Sequence, residues 1–253
     1  MKLNFRKTGT GKPLVILHGL FGSADNWMSI AKGLEKNYSL YLLDQRNHGD
    51  SPHSDTWNYT AMAADLKEFM EAEGLQKANF LGHSMGGKTV MKFALTYPEM
   101  VDKLVVADIA PRPYPVHHQT ILEALNAIDI QNLQSRKEAE DKLAEYIEER
   151  GIRQFLLKNL TRKEGAFAWK INLPVISKQI ENVGEEITSD KPFSGPALFM
   201  GGANSDYIQS GDKEDIDKLF PDNLIIHIKN TGHWLHAEQP EAVISTLKTF
   251  LGN

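Results

Sequence analysis

Six short apolar runs fix most of what this chain can become. They are Leu14–Leu17, Leu40–Leu43, Asn79–Leu81, Leu104–Ala107, Ala197–Met200 and Leu224–Ile228, each bounded by turn residues. None alternates with polar residues. A strand that is apolar at nearly every position is covered on both faces, as in a parallel sheet between helices. Helical spacing fills the gaps. Trp27, Ile30 and Leu34 recur three and four apart, as do Met62, Leu66, Phe69 and Met70 ahead of a stop at Gly74. Val90, Met91, Ala94 and Leu95 form a third stripe ended by Pro98, and Val243, Ile244, Leu247 and Phe250 a fourth. Strand alternating with helix predicts an α/β fold with a mostly parallel central sheet. Right-handed crossovers then bring the carboxyl ends of the strands to one edge, where ligands bind.

The alternation stops between Pro111 and Pro192. No strand reads out of that stretch, while 116–130, 135–150, 152–160 and 173–183 read as helices. About 80 residues exceed any ordinary loop. The expectation is a helical lid, residues 112–191, laid over the carboxyl edge of a core made of 1–111 and 192–253. A separate helical subdomain without a part in the site is the plainer alternative. The Lys/Glu-rich piece 136–150 reads as a solvated helix face.

Composition removes several functions. The 253 residues hold no cysteine, which excludes disulfides, thiolate metal sites, iron–sulfur clusters and a cysteine nucleophile. Lys and Arg number 28 against 33 Asp and Glu, a formal charge of −5, so the broad basic field of a nucleic-acid binder is missing. No segment approaches 18 apolar residues, so no membrane span is expected. The charged amino terminus does not read as a signal peptide, and the expected address is cytoplasmic.

The chemistry is carried by Gly82-His83-Ser84-Met85-Gly86. This is G-x-S-x-G between a strand and a helix, the setting of a nucleophile elbow. The turn is so tight that a side chain at 82 or 86 would strike the neighbouring helix or strand. Ser84 is thereby exposed at a helix N-terminus, where amide groups favour developing negative charge. His18-Gly19-Leu20-Phe21-Gly22 follows the first apolar run and suits an oxyanion loop. The expected donors are the backbone N–H groups of Leu20 and Met85, with Phe21 as the alternative to Leu20. His18 itself is expected to organise that loop. Gly232-His233-Trp234 follows the last run and places His233 as general base at the same edge, after the serine in chain order. Two carboxylates compete for the acid. Asp206 follows the run Ala197–Met200, but counting from Gly202 puts Ser205 in the usual slot and Asp206 one place late. Asp108, at the end of Leu104–Ala107, is preferred, with Asp206 as the alternative. Phe21, His83 and Trp234 flank these positions and are the candidates for touching substrate.

The chain resembles the α/β-hydrolase superfamily over its whole length, and within it the YbfF-type esterases. The resemblance rests on 18–23 (HGLFGS), 44–49 (DQRNHG), 82–87 (GHSMGG), 108–111 (DIAP) and 232–238 (GHWLHAE). It implies an α/β-hydrolase fold with the lid inserted after the sixth strand and the oxyanion loop after the third. It implies a serine hydrolase acting on small-molecule carboxylic esters or acyl thioesters of small to medium chain length, through an acyl-enzyme. It also implies Asp108 as the acid, no cofactor and no metal. The same fold and triad serve carbon–carbon hydrolases, lyases, perhydrolases and non-hydrolytic ligand-binding proteins. Of the remaining features, Arg46 and His48 read as loop pins and Gly49 as a turn with positive φ. Gly9-Thr10-Gly11-Lys12 lacks the spacing of a phosphate loop. His117-His118 reads as a surface pair with no third metal ligand. Phe155, Phe167 and Trp169 are candidates for an acyl pocket. Arg112, Arg153, Lys158, Arg162 and Lys163 are candidates for the basic rim that an acyl-CoA would want.

Overall fold

The computed structural model of the protein describes residues 1–252. The first part of the chain runs β1 (Phe5–Thr8), β2 (Lys12–Leu17), α1 (Met28–Leu34), β3 (Tyr38–Leu43), α2 (Tyr59–Ala72), β4 (Ala78–His83), α3 (Met85–Thr96) and β5 (Val101–Ala107). An inserted segment follows with α4 (Gln119–Asn126), α5 (Arg136–Ala144), α6 (Arg150–Leu157), β6 (Leu160–Lys163), β7 (Ala166–Trp169), α7 (Leu173–Lys178) and α8 (Glu181–Gly184). The chain then returns through β8 (Ala197–Gly202), α9 (Lys213–Leu219), β9 (Asn223–Ile228), α10 (Leu235–Glu238) and α11 (Pro240–Leu251). Seven strands form one sheet in the order β1-β3-β2-β4-β5-β8-β9. Only β1 runs antiparallel to its neighbour.

All six apolar runs lie in parallel strands. Neighbouring positions of each run serve opposite faces, since the side-chain period of a strand is two. Val15, Leu17, Phe80, Val106 and Phe199 meet α2 and α3 through Met62, Leu66, Val90 and Phe93. Leu14, Ile16, Leu81, Val105 and Met200 meet α1 and α11 through Ile30, Leu34, Val243 and Leu247. In the runs of the central strands the two covered faces leave little place for a polar residue, buried Asn79 being the exception, whereas the edge strand β9 leaves Leu224 and His227 exposed. Replacing a side chain of a central run, Leu81 for example, by alanine removes a group with no solvent exposure, a change that costs about 2–5 kcal/mol.

Four elements escaped the sequence pattern. β1 is an edge strand of sequence Phe-Arg-Lys-Thr, half exposed, so it has no apolar run. α9 is mostly charged and buries only Ile216 and Leu219. In the inserted segment, β6 and β7 pair as a hairpin where no strand was expected. Its signal was the turn: Glu164 and Gly165 take φ of 53° and 87°, the double positive φ of a type I′ connection.

The inserted helices are also shorter than their periodicity suggested, yet Leu122, Leu125, Leu143 and Leu156 join the same buried cluster as α2 and α3. The segment therefore has no core of its own. It leaves after the fifth strand of the chain rather than the sixth, and the loop 18–22 follows the second strand rather than the third. The sheet begins with one strand fewer than the family pattern implied. Both ends of the segment converge on Lys88 of α3, a lysine with no solvent exposure. Its Nζ donates to the carbonyl of Arg112 at 3.0 Å, to that of Gly184 at 3.3 Å and to that of Glu185. The two legs also bond each other, Tyr114 N–H to the Gly184 carbonyl at 2.9 Å and Ile187 N–H to the Pro111 carbonyl at 2.8 Å. Among the described residues no helix is long and apolar enough to cross a membrane.

Candidate active site

Strand β4 ends at His83 and α3 begins at Met85, leaving Ser84 alone in the turn. Its φ of 53° and ψ of −118° form a combination that glycine takes readily and other residues avoid. The surrounding glycines make that turn possible. A Cβ on Gly82 would strike the Gly86 carbonyl, and one on Gly86 would strike the backbone of Leu17 and His18 at the end of β2. Both collisions follow from helix and strand meeting at one residue.

The expected base and the preferred candidate for the acid meet at the same edge. His233 Nδ1 lies 2.8 Å from Asp108 Oδ2. Asp108 caps β5 with φ 51° and has no solvent exposure. Its Oδ1 accepts from Gly202 N–H at 2.9 Å, and its Oδ2 also accepts from Ser205 Oγ at 2.5 Å. A carboxylate with three such donors fixes the ring: Nδ1 carries the proton and Nε2 is left as the acceptor. Ser205 thus fills the slot beside β8 and works as a second support for Asp108, a residue that motif counting placed but did not interpret. Asp206, one position later, is exposed, and it is its carbonyl that accepts from Arg112 Nη2 at 3.2 Å. The alternative acid is therefore not brought to His233. Tyr207 stacks on the His233 ring at a centroid distance of 4.2 Å, a contact that no spacing rule announced.

The loop after β2 is held from several sides. Gly22 N–H closes a turn onto the Gly19 carbonyl at 3.0 Å, with Phe21 inside it at φ 58°. Asn159 of the inserted segment, buried, donates from Nδ2 to the Phe21 carbonyl at 2.8 Å. His18 accepts at Nε2 from Gln45 N–H at 3.1 Å, and Gln45 Nε2 donates to the His18 carbonyl at 2.6 Å. The block 44–49 is a scaffold of this kind throughout. Arg46 pairs with Asp65 through two bonds of 2.6 and 2.8 Å. Gly49 takes φ 58°, and a Cβ there would run into the Asp44 carboxylate.

Ser84 and His233 line one cavity of about 260 Å³ with Leu20, Phe21, His83, Tyr207 and Trp234. The inserted segment supplies His117, His118, Ile121, Ile152, Phe155 and Leu156. His117-His118 is thus a site-facing pair, with His117 exposed and His118 half-buried. Helical periodicity gave no signal for it because both residues precede α4. The cavity continues into an outer groove of about 860 Å³, sharing Asn26, Ile152, Phe155, Trp234 and His236 with it. Of the three aromatic residues expected at an acyl pocket, only Phe155 lines either space. Phe167 and Trp169 belong to the β6–β7 hairpin. The expected basic rim does not assemble. Arg112 is paired with Asp212 at 2.6 Å and Arg153 with Glu140 at 2.9 Å. Lys158 alone reaches the groove, beside Asp25, Glu149 and Glu238.

Burial sets the protonation of the surrounding histidines. It lowers the pKa of His18 and His83, and it takes His48 to about 3 and His236 to about 4. All four are held towards the neutral form in the fold, whereas an unfolded histidine takes up a proton near pH 6.5. The unfolded state therefore binds more protons below pH 6.5, and folding stability falls as pH drops from there towards 4. His48 and His236, whose folded pKa values lie well below that window, each contribute about 1.4 kcal/mol per pH unit, so these two together remove on the order of 3 kcal/mol at pH 5.5. Chemical denaturation at pH 7.5 and 5.5 measures this directly. Equal stabilities at the two pH values would contradict it.

A shared sheet order, elbow and edge-placed histidine define a class, and comparison with known proteins gives the same class. The family model for the alpha/beta hydrolase fold matches residues 12–134. The chain belongs to the α/β-hydrolase family, and its line within that family is one of ester-cleaving hydrolases. It is 41% identical to the sn-1-specific diacylglycerol lipase ABHD11 of Danio rerio, over 98% of this chain and 80% of that protein. It is 38% identical to the esterase YbfF of Escherichia coli (strain K12), over 100% of both. Among solved structures, a marine microorganism esterase superimposes with a TM-score of 0.96 at 48% identity, covering 98% of this chain and 99% of that one.

Proposed function

We propose that the protein is a serine carboxylesterase in which Ser84, His233 and Asp108 act as a triad. The observation that carries this is the Asp108–His233 hydrogen bond at the strand edge, beside a serine held in a strained turn in the same cavity. Ser84 Oγ attacks the ester carbonyl carbon while His233 Nε2 takes its proton. The oxyanion that forms is held by Met85 N–H and by the N–H of Leu20 or of Phe21, both within the turn closed by Gly22. His233 returns the proton to the alcohol oxygen, the C–O bond breaks, and the acyl group stays on Ser84. Water, deprotonated by His233, then releases the acid by the same steps. Asp108 holds the ring and stabilises the imidazolium without taking its proton.

The inserted segment, 112–191, acts as the lid of this site, since six of its residues wall the cavity. The same steps open a thioester, but the outer groove faces a leaving group with three carboxylates and one amine. That rim disfavours the polyanionic nucleotide of an acyl-CoA. Uncharged esters of small to medium acyl chains are the substrates that fit. Rates on p-nitrophenyl acetate, butyrate, octanoate and palmitate, with butyryl-CoA alongside, test the reading. The expected result is a maximum at butyrate or octanoate, at least about tenfold above palmitate, with the CoA thioester slower still. A folded protein that turns over none of them is not an esterase.

A further inference from the structure

Ser84 opens onto two spaces. On one side is the 260 Å³ cavity that leads to the outer groove, and on the other is a narrow pocket with about 20 Å³ of free room. The narrow pocket is walled by Tyr59, Met85, Ile109, Tyr114 and Val183 among others. Three residues line both spaces: Ser84, His118 and Tyr207. His118 is therefore the one residue of the inserted segment that stands at the junction where an ester must lie when its carbonyl reaches Ser84.

Of the three tyrosines that line the narrow pocket, Tyr59 and Tyr114 use their hydroxyls within the fold. Tyr59 Oη donates to the Val183 carbonyl at 2.8 Å, and Tyr114 Oη accepts from Ala110 N–H at 2.9 Å and donates to the Tyr207 carbonyl. His118 differs. Its Nδ1 is buried and has no hydrogen-bond partner among the described residues. The ring sits edge-on to Phe21, 6.3 Å between centroids, which fixes its plane. Burial, with the charges of His117 and His233 nearby, takes its pKa to about 4. The imidazole is thus neutral at any ordinary working pH, with one N–H to give and one nitrogen to accept. A buried polar atom left unpaired costs about 1–3 kcal/mol. The other ring nitrogen, Nε2, is likewise without a partner among the described residues but is not enclosed, and it is the one that a ligand in the cavity can reach.

We infer that His118 is a specificity-determining residue that hydrogen-bonds an uncharged oxygen substituent of the substrate, a hydroxyl or carbonyl a few bonds from the scissile ester. The enzyme then prefers oxygen-bearing esters to plain alkyl esters of the same size. The neutrality of the ring is what separates this from recognition of a carboxylate, which would call for an imidazolium. The inference rests on the esterase reading above and names the substrate class of that same site.

The experiment compares kcat/KM on three esters: ethyl butyrate, 2-hydroxyethyl butyrate (hydroxyl on the alcohol arm) and ethyl 3-hydroxybutyrate (hydroxyl on the acyl arm). For the wild type, one of the hydroxylated esters is expected to exceed ethyl butyrate by about tenfold, the size of one good neutral hydrogen bond. That ratio stays flat from pH 6 to pH 9. In His118→Phe, which keeps a flat ring against Phe21, the ratio falls to about one. In His118→Asn, whose amide can still donate and accept, part of it returns. A merely structural histidine would change the rates on all three esters alike and leave the ratio in place. A wild type with no preference, or a ratio untouched in His118→Phe, overturns the inference while the esterase reading stands. Preference for the monoanionic half-ester monoethyl succinate over all three also overturns it. A wild type inert on every one of them removes the esterase reading and this inference together.

Discussion

Ser84→Ala is expected to lower kcat on p-nitrophenyl butyrate by about 10⁶-fold, with His233→Ala close to it. The double variant should lose little more, because each residue is idle without the other. What survives is the oxyanion loop and the cavity, which together leave a residual rate above that of water. A further variant separates chemistry from folding. Ser84 holds φ 53° and ψ −118°, a conformation that costs a non-glycine residue on the order of 1 kcal/mol or more. Ser84→Gly is therefore expected to be equally inactive and yet more stable, by about 2–4 °C in Tm per kcal/mol gained in a chain of this size. Turnover within tenfold of wild type in Ser84→Ala would show that the ester is opened elsewhere. A Tm that falls in Ser84→Gly would show that the turn is not strained in the sense argued.

Asp108→Asn is expected to cost about 10⁴-fold in kcat, while Asp206→Asn stays within about twofold of wild type. The contrast comes from what each carboxylate touches. Asp108 accepts from the Gly202 amide, the Ser205 hydroxyl and His233 Nδ1. An asparagine has one acceptor oxygen and must turn an NH2 towards one of these donors, so either the histidine takes the wrong tautomer or a buried bond breaks. Asp206 is solvent-exposed, and its amide analogue changes only surface charge. Ser205→Ala should fall between the two, near tenfold, through a looser Asp108. Stopped assays on pure variants, with circular dichroism to show that each is folded, decide the order. A collapse in Asp206→Asn would reverse the assignment of the acid.

The parts of the site that a sequence reader can find are those that local geometry forces. Gly82 and Gly86 have to be glycine because helix and strand converge there, so the elbow announces itself in five letters. His233 follows from its place after the last apolar run. The central parallel strands are legible because two covered faces leave almost no polar position. What stayed hidden is what depends on tertiary approach. Ser205 and Tyr207 act on Asp108 and His233 from the neighbouring strand end; counting from Gly202 places Ser205 without saying what it does, and nothing in the spacing of Tyr207 points to its stacking. Asn159 reaches the Phe21 carbonyl across 138 residues of chain. His118 precedes its helix, outside any periodic stripe, and only the folding of the inserted segment against the core turns it inward. The β6–β7 hairpin was lost because its residues are charged on the exposed side and the turn dipeptide was Glu-Gly.

The clamp at Lys88 bears on how this enzyme can diversify. Both legs of the inserted segment are tied to one ammonium and to each other at their base. What lies beyond that base is a closed excursion, and closing a longer one costs only about 0.6 kcal/mol for each doubling of its length. Selection, or a protein engineer, can therefore vary the excursion between Arg112 and Gly184, provided that the packing of Leu122, Leu125, Leu143 and Leu156 and the Asn159 bond to the Phe21 carbonyl are kept. Substrate range and reaction chemistry become separately inherited traits of one chain.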